Sequence, residues 1–127
     1  MRALDRRAGR PPRALARPAA RRARIARDYI DANAMRAVTS IELERAASLD
    51  RYALSRHFRA LYATSPHRYL LMRRLARARA LVGAGAPLAE NAAATGFADQ
   101  AHFTRHFKKA YGLPPGRWAA LTAGQRA

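Results

Sequence analysis

The chain has 127 residues, enough for one domain or for two very small ones sharing a helix. Its 25 Lys+Arg against 8 Asp+Glu leave a formal charge of +17 and a pI near 11.8, a field that attracts polyanions such as DNA, RNA or an anionic membrane surface. There is no cysteine, which excludes disulfides and thiolate chemistry; no apolar run approaches the roughly 18 residues of a membrane span, and the basic N-terminus lacks the apolar core of a secretory signal.

Residues 1–22 are Arg, Ala and Pro with almost no large apolar side chains, and Pro11, Pro12 and Pro18 interrupt any helix. They read as a disordered or frayed basic arm, an interdomain linker or a nonspecific tail. A helix is expected from Arg24 to about Ala34, with Ile25, Tyr29 and Ile30 on one stripe. Thr39 with Glu42 three residues on has capping-box spacing and opens a short helix that turns Leu43 and Ala47 inward and ends near Ser48. Asp50 caps a helix from Arg51 to Tyr62 that buries Leu54, Phe58 and Leu61.

Pro66 opens a long helix running to about Val82, with Tyr69, Leu70, Leu75 and Leu81 as candidate core residues and Gly83 and Gly85 at its end. Pro87 suits the first turn of a helix from Leu88 to Thr95. Gly96 supplies a left-handed turn, and Asp99 caps a helix from Gln100 to Tyr111 that buries Phe103, Phe107 and Ala110. Gly112 terminates that helix and Pro114–Pro115 prevents its continuation. No segment alternates like a strand, so the fold class is all-α.

The chain repeats itself 49 positions on. LSRHFRALYATSPHRY at Leu54–Tyr69 returns as FTRHFKKAYGLPPGRW at Phe103–Trp118, and Asp50 returns as Asp99. A repeat of this length marks two copies of one supersecondary unit. Each copy reads as short helix, tight turn, longer helix: a helix-turn-helix, whose second helix enters the major groove of DNA.

With Leu54 at the centre of the buried face, Tyr52, Ser55, Arg56 and Arg59 project outward, as do Ala101, Thr104, Arg105 and Lys108 in the second copy. Arg56 and Arg105 are the leading candidates for base contact, because an arginine fork matches guanine O6 and N7. Tyr52, Ser55, Ala101 and Thr104 are expected to add base-edge or thymine-methyl contacts, and Gln100 to contact adenine or a phosphate. Arg51, Arg59, Lys108 and Lys109 are the expected phosphate contacts. Only Lys108 and Lys109 among the 25 basic residues are lysine. Arginine dominance suits such forks, although a genome rich in G and C accounts for most of it.

GFADQAHFTRHFKKAYGLPPGRW, from Gly96 to Trp118, closely resembles the second DNA-binding motif of AraC/XylS-type transcription regulators. LDRYALSRHFRALYATSPHRYLLMRRLARARAL, from Leu49 to Leu81, resembles their first recognition helix and linker helix. The resemblance covers about residues 25–120. It implies a bacterial, cytoplasmic DNA-binding domain over about residues 23–122, with a tail at 123–127 and seven or so helices. The first helix-turn-helix would span about 39–62, the linker helix 66–82 and the second helix-turn-helix about 87–111. The recognition helices would enter successive major grooves on one DNA face, and Tyr52, Ser55 and Arg56 with Ala101, Thr104 and Arg105 would stand at base-contacting positions. Most such regulators carry an effector-binding or dimerisation domain ahead of this module, so the chain looks like a stand-alone module or a fragment of a longer regulator.

Four residues depart from the family pattern. Ser48 and Ala63 stand where glycine is usual, at about 1 kcal/mol each if left-handed. Glu44 takes the place of a small residue packed between helices, and Asn91 that of a β-branched core residue; a buried unpaired amide costs ~1–3 kcal/mol. A truncated regulator of weakened specificity is therefore one alternative. A nonspecific polyanion binder is another, supported by the basic arm and by Arg73, Arg74, Arg77 and Arg79 of the linker helix. RNA polymerase is a further candidate partner, for the exposed face of the linker helix. The module alone is expected to be a monomer that binds double-stranded DNA and no membrane. His102 and His106 have a spacing that can hold zinc, but Phe103 stands where a metalloprotease needs glutamate, and no metal or cofactor is assigned. No nucleophile–base pair or phosphate-binding glycine loop is present, so no catalytic residue is assigned either.

Overall fold

Seven α-helices and no strand make up residues 15–126, the part of the chain that the computed structural model describes. They are α1 Arg17–Asn33, α2 Ser40–Ala47, α3 Arg51–Tyr62, α4 Pro66–Gly83, α5 Leu88–Ala94, α6 Gln100–Tyr111 and α7 Pro115–Arg126. The starts of α1, α3 and α4 recur 49 positions later as the starts of α4, α6 and α7. The helix α4 therefore closes the first unit and opens the second. Among the described residues no helix is long and apolar enough to cross a membrane.

Helix starts are written in single side chains. Thr39 accepts from the Glu42 amide at 3.1 Å while the Thr39 amide donates to Glu42 Oε1 at 2.9 Å, a complete capping box at α2. Asp50 caps α3 through the Ala53 amide (2.9 Å), Ser65 caps α4 through the Arg68 amide (3.1 Å), and Asp99 caps α6 through the His102 amide (2.7 Å). Each cap satisfies an amide that the first helical turn leaves without a partner.

Two apolar cores lie on either side of the shared helix. The first gathers Ile30, Leu43, Leu54, Phe58 and Leu70 with small residues of α1 and α2. The second gathers Leu75, Val82, Phe97, Phe103 and Phe107 with Ala78 and Ala92. Thus α4 gives Leu70 to one core and Leu75, Ala78 and Val82 to the other.

The observed fold departs from the sequence expectations at several points. Helix α1 begins at Arg17 rather than Arg24, because Pro18 sits in its first turn, where a missing N–H costs nothing. Residues 17–22 of the expected arm are therefore helical; Pro11, Pro12 and everything before residue 15 lie outside the described residues. The buried stripe of α1 is Ala23, Ala26 and Ile30, and Ile25 is 37% exposed. Leu61 is also exposed, as is Ala110; Tyr62 and Tyr111, one residue further on, turn toward the cores instead. In α4 it is Val82 rather than Leu81 that is fully buried. Gly112 closes α6, and Pro115, expected only to prevent its continuation, opens α7 as Pro66 opens α4.

The four unusual residues behave unequally. Ser48 (φ 54°) and Ala63 (φ 60°) are left-handed, closing α2 and α3 where a Cβ crowds the backbone. Asn91 is fully buried: its Nδ2 donates to the Ala78 carbonyl at 3.0 Å, while Oδ1 has no partner. Glu44 is half-buried at the edge of a cavity of about 240 Å³ bordered by α2, α3 and the start of α4.

Replacing either left-handed residue by glycine removes the Cβ from that crowding. Ser48→Gly and Ala63→Gly are each expected to stabilise the protein by about 1 kcal/mol, a rise in melting temperature of about 4 °C or more. Thermal unfolding of the single variants checks this, and unchanged midpoints would mean that the turns carry no strain.

Acid sensitivity should centre on Glu42. Its carboxylate accepts from Arg36 Nη2 (2.7 Å), from the Tyr29 hydroxyl (2.6 Å) and from the Thr39 amide, and these hold its pKa down to about 2 from an ordinary 4.5. A carboxyl whose pKa falls on folding contributes stability that is fully present above the ordinary value and is lost as pH drops through the folded one. Urea midpoints of the native chain should therefore fall between about pH 4.5 and pH 2. The Glu42→Gln profile should be flatter in that window, and equally steep profiles would exclude this network as the cause.

Candidate nucleic-acid interface

The two candidate recognition helices α3 and α6 are equal in length and held by equivalent contacts. Each begins at an aspartate cap. Each ends in a left-handed residue, Ala63 or Gly112, whose amide donates 2.8 Å to the carbonyl of Arg59 or Lys108. Leu54 and Phe58 plug into the first core as Phe103 and Phe107 do into the second.

Behind each helix stands a triangle of rings. Phe58, Tyr62 and Tyr69 have centroids 4.8, 5.6 and 6.4 Å apart. Phe107, Tyr111 and Trp118 have centroids 4.8, 6.1 and 5.9 Å apart, in the same order of contacts. Two rings of each triangle belong to the recognition helix and the third to the helix after it. Three of these six pairs meet edge to face, a geometry that adds ~0.5–1.5 kcal/mol beyond the buried area. They fix the angle between the helices they join. An arginine lies over the tyrosine in both units, Arg27 over Tyr62 at 5.2 Å and Arg79 over Tyr111 at 5.0 Å.

With their apolar faces fixed, the opposite faces of α3 and α6 point to solvent. Tyr52 is 68% exposed. Arg51, Arg56, Arg59, Gln100, Ala101, Arg105, Lys108 and Lys109 are exposed as well, whereas Ser55 and Thr104 are half-buried at matching positions. Neither helix contains a carboxylate. Among the described residues no acidic group pairs with Arg56, Arg59, Arg105, Lys108 or Lys109, whereas Arg27, Arg36 and Arg73 each pair with one. Arg51 differs: its guanidinium lies 5.2 Å over the Tyr52 ring and donates 3.3 Å to the Tyr52 hydroxyl, which raises its pKa, with a smaller contribution from Glu44.

His102 and His106 lie Nε2 to Nε2 at 3.1 Å, ring edge to ring face, and both pack on Phe97. Burial first, then the charges of His102, Arg105, Lys109 and His67, push the His106 pKa down. Among the described residues no cluster of three His, Asp or Glu side chains is placed to hold a metal. His67 sits in the first turn of α4, as its position after Pro66 implied.

Sequence reading missed the part played by the linker arginines. Arg73 pairs with Asp31 at 3.2 Å, and Asp31 also accepts from the Tyr69 hydroxyl at 2.7 Å. Arg74 donates to two backbone carbonyls, and Arg79 covers Tyr111. Three of the four arginines that suggested a polyanion-binding linker are thus occupied within the fold. Nothing in a run of arginines separates those that brace a fold from those that meet solvent; only the partners do.

A Helix-turn-helix domain family model matches residues 43–120, more than half of the chain. The probable transcriptional regulator LumQ of Photobacterium leiognathi is 29% identical over 92 residues, 72% of this chain and 37% of that protein. The chain thus spans little more than a third of the length of that relative. Among solved structures, a probable AraC family transcriptional regulator from Rhodopseudomonas palustris superposes with a TM-score of 0.71 at 25% identity, covering 80% of this chain and 97% of that one. The DNA-binding domain of AdpA, solved in complex with a target DNA, superposes with a TM-score of 0.75 at 21% identity over 87% of this chain and 97% of that one, a likeness of fold. Its paired helix-turn-helix units, its motif from Gly96 to Trp118 and these matches make the chain a member of the AraC-type helix-turn-helix family, a family of DNA-binding transcription regulators rather than of enzymes.

Proposed function

We propose that the chain reads a two-part DNA site by inserting α3 and α6 into successive major grooves. The observation that carries this reading is the pair of outward faces. They stand at matched positions on equally braced helices, and among the described residues their cations have no acidic partner. A cation already paired within the fold gains little from a phosphate; an unpaired one releases counterions from the DNA when it binds.

In this reading Arg56 and Arg105 take guanine, each with its fork free to lie along O6 and N7. Tyr52, Ser55 and Thr104 add polar base-edge contacts, Ala101 a methyl contact, and Gln100 an adenine contact. Arg59, Lys108 and Lys109 take phosphates, as does Arg51 from its seat on the Tyr52 ring. The first helix-turn-helix supplies one half of the site and the second the other. The nonspecific polyanion reading keeps the basic arm and Arg77 but loses part of its support in α4, because Arg73, Arg74 and Arg79 are engaged within the fold.

Selection from a random duplex library at near-physiological salt should enrich two boxes about one helical turn apart. Arg56→Ala should then relax the preference in one box and Arg105→Ala in the other, each by ~1–3 kcal/mol, while Lys108→Ala should weaken all sequences alike and lower the salt slope by about one unit. Unchanged preferences in both arginine variants would overturn the residue assignment. Loss of all binding at moderate salt without any enriched motif would instead favour the nonspecific binder.

A further inference from the structure

The two halves of the molecule have separate cores, and what holds them at a fixed angle is not obvious from either. Helices α1–α3 pack on one another, α5–α7 pack on one another, and α4 packs on both sets. A single shared helix fixes the distance between two bodies well. It fixes their rotation about its axis less well, because each half rests on a different stripe of it.

Arg74 lies at a seam where the two halves meet. Its Nε donates to the Ala34 carbonyl at 2.7 Å and its Nη2 to the Arg36 carbonyl at 2.6 Å. Ala34 is the C-cap of α1, where backbone oxygens lack helical partners and the helix dipole is negative, and Arg36 lies in the bend just after it. On its other side the guanidinium meets Gly96 in the turn between α5 and α6. A Cβ built on Gly96 would lie 2.8 Å from Arg74 Nε, 3.2 Å from its Cζ and 3.1 Å from the Ala34 carbonyl. Gly96 thus answers two demands at once, a φ of 82° and a close approach by the arginine.

The seam connects the two recognition helices by a short physical path. Ala34 ends α1, which packs on α3. Gly96 stands three residues before Asp99, the cap of α6. The arginine lies between these two ends, and planar donors in a fixed fork suit it to grip two carbonyls at one angle.

We infer that Arg74 is a positioning residue that locks the angle between α3 and α6 and so sets the spacing and phase of the two DNA boxes the protein accepts. This rests on the two-groove reading above. One inserted base pair rotates a box by roughly 34° about the DNA axis, so an angle locked in the protein becomes a spacing preference in the site.

The test has an arm that uses no DNA. The chain has no cysteine, so Ala60→Cys on α3 and Ala110→Cys on α6, both exposed, give two unique spin-label sites. The distance distribution between them should be single and narrow with Arg74 present. It should broaden or shift in Arg74→Met, and Arg74→Lys, which keeps the charge but not the fork, should fall between. Circular dichroism checks that the helices persist, and Arg74→Lys alone carries the comparison if Arg74→Met does not fold.

The second arm measures binding to the selected two-box duplex and to versions with one base pair added or removed. The native chain should lose about tenfold or more on each change, because a box out of phase forfeits simultaneous engagement. Arg74→Met should bind either single box as the native chain does, bind the native spacing about tenfold more weakly, and discriminate little among the three spacings. A narrow label distance in both Arg74 variants, or a native spacing preference in both, would overturn the inference. Failure of the native chain to select two boxes would overturn the two-groove reading, while the label distances would still decide whether Arg74 sets the angle.

Discussion

The packing of each recognition helix against the helix that follows it is the constraint on which the rest depends. A recognition helix is short, and twelve residues of this composition do not form a stable helix alone in water. Two phenylalanines or their equivalents must be buried on one side before the other side can be presented. The ring triangles do this at Phe58, Tyr62 and Tyr69 and again at Phe107, Tyr111 and Trp118. Because the third ring lies on α4 or α7, each recognition helix is oriented by the next helix in the chain. The first unit is therefore incomplete without α4; the second takes its third ring from α7 and Leu75, Ala78 and Val82 of its core from α4. Sharing α4 lets the chain present two matched outward helix faces with seven helical segments.

Most of this was legible because it is written in local terms. Thr39, Asp50, Pro66 and Asp99 mark helix starts by chemistry that needs no tertiary knowledge, and the structure places a start at or just after each. The repeat at 49 residues is also legible, and it extends to the start of α7. Trp118 was matched with Tyr69 and Pro115 with Pro66, which already implies a final helix beginning at Pro115. Reading Pro114–Pro115 only as a stop obscured it, since proline ends one helix and suits the first turn of another equally well. The same ambiguity hides the start of α1 at Arg17, with Pro18 in its first turn.

What was not legible depends on contacts far apart in the chain. Periodicity placed Leu61 and Ala110 on the buried faces because both satisfy a helical stripe. The aromatic residues one position later took those places, since a ring that reaches the next helix buries more area than a leucine or alanine pointing beside it. The outward faces of α3 and α6 were visible from angle alone. Whether an outward arginine is paired was not. Arg73 meets Asp31 across 42 positions and Arg74 meets Ala34 across 40, and no local pattern announces either.

These arginines also show how a chain of charge +17 can fold at all. Like charges on a compact body repel, and the strain at Ser48 and Ala63 and the unpaired Asn91 oxygen add to that cost. Part of the repulsion is removed internally, where arginines settle on carboxylates, carbonyl groups and tyrosine rings. The cations on the outward faces of α3 and α6 are among those that, within the described residues, keep their charge without an acidic partner. A polyanion on those faces relieves the residual repulsion, and because it binds the folded arrangement of α3 and α6, it stabilises that arrangement by mass action. The charge that costs the free protein stability is thus the same charge that would couple its folding to binding.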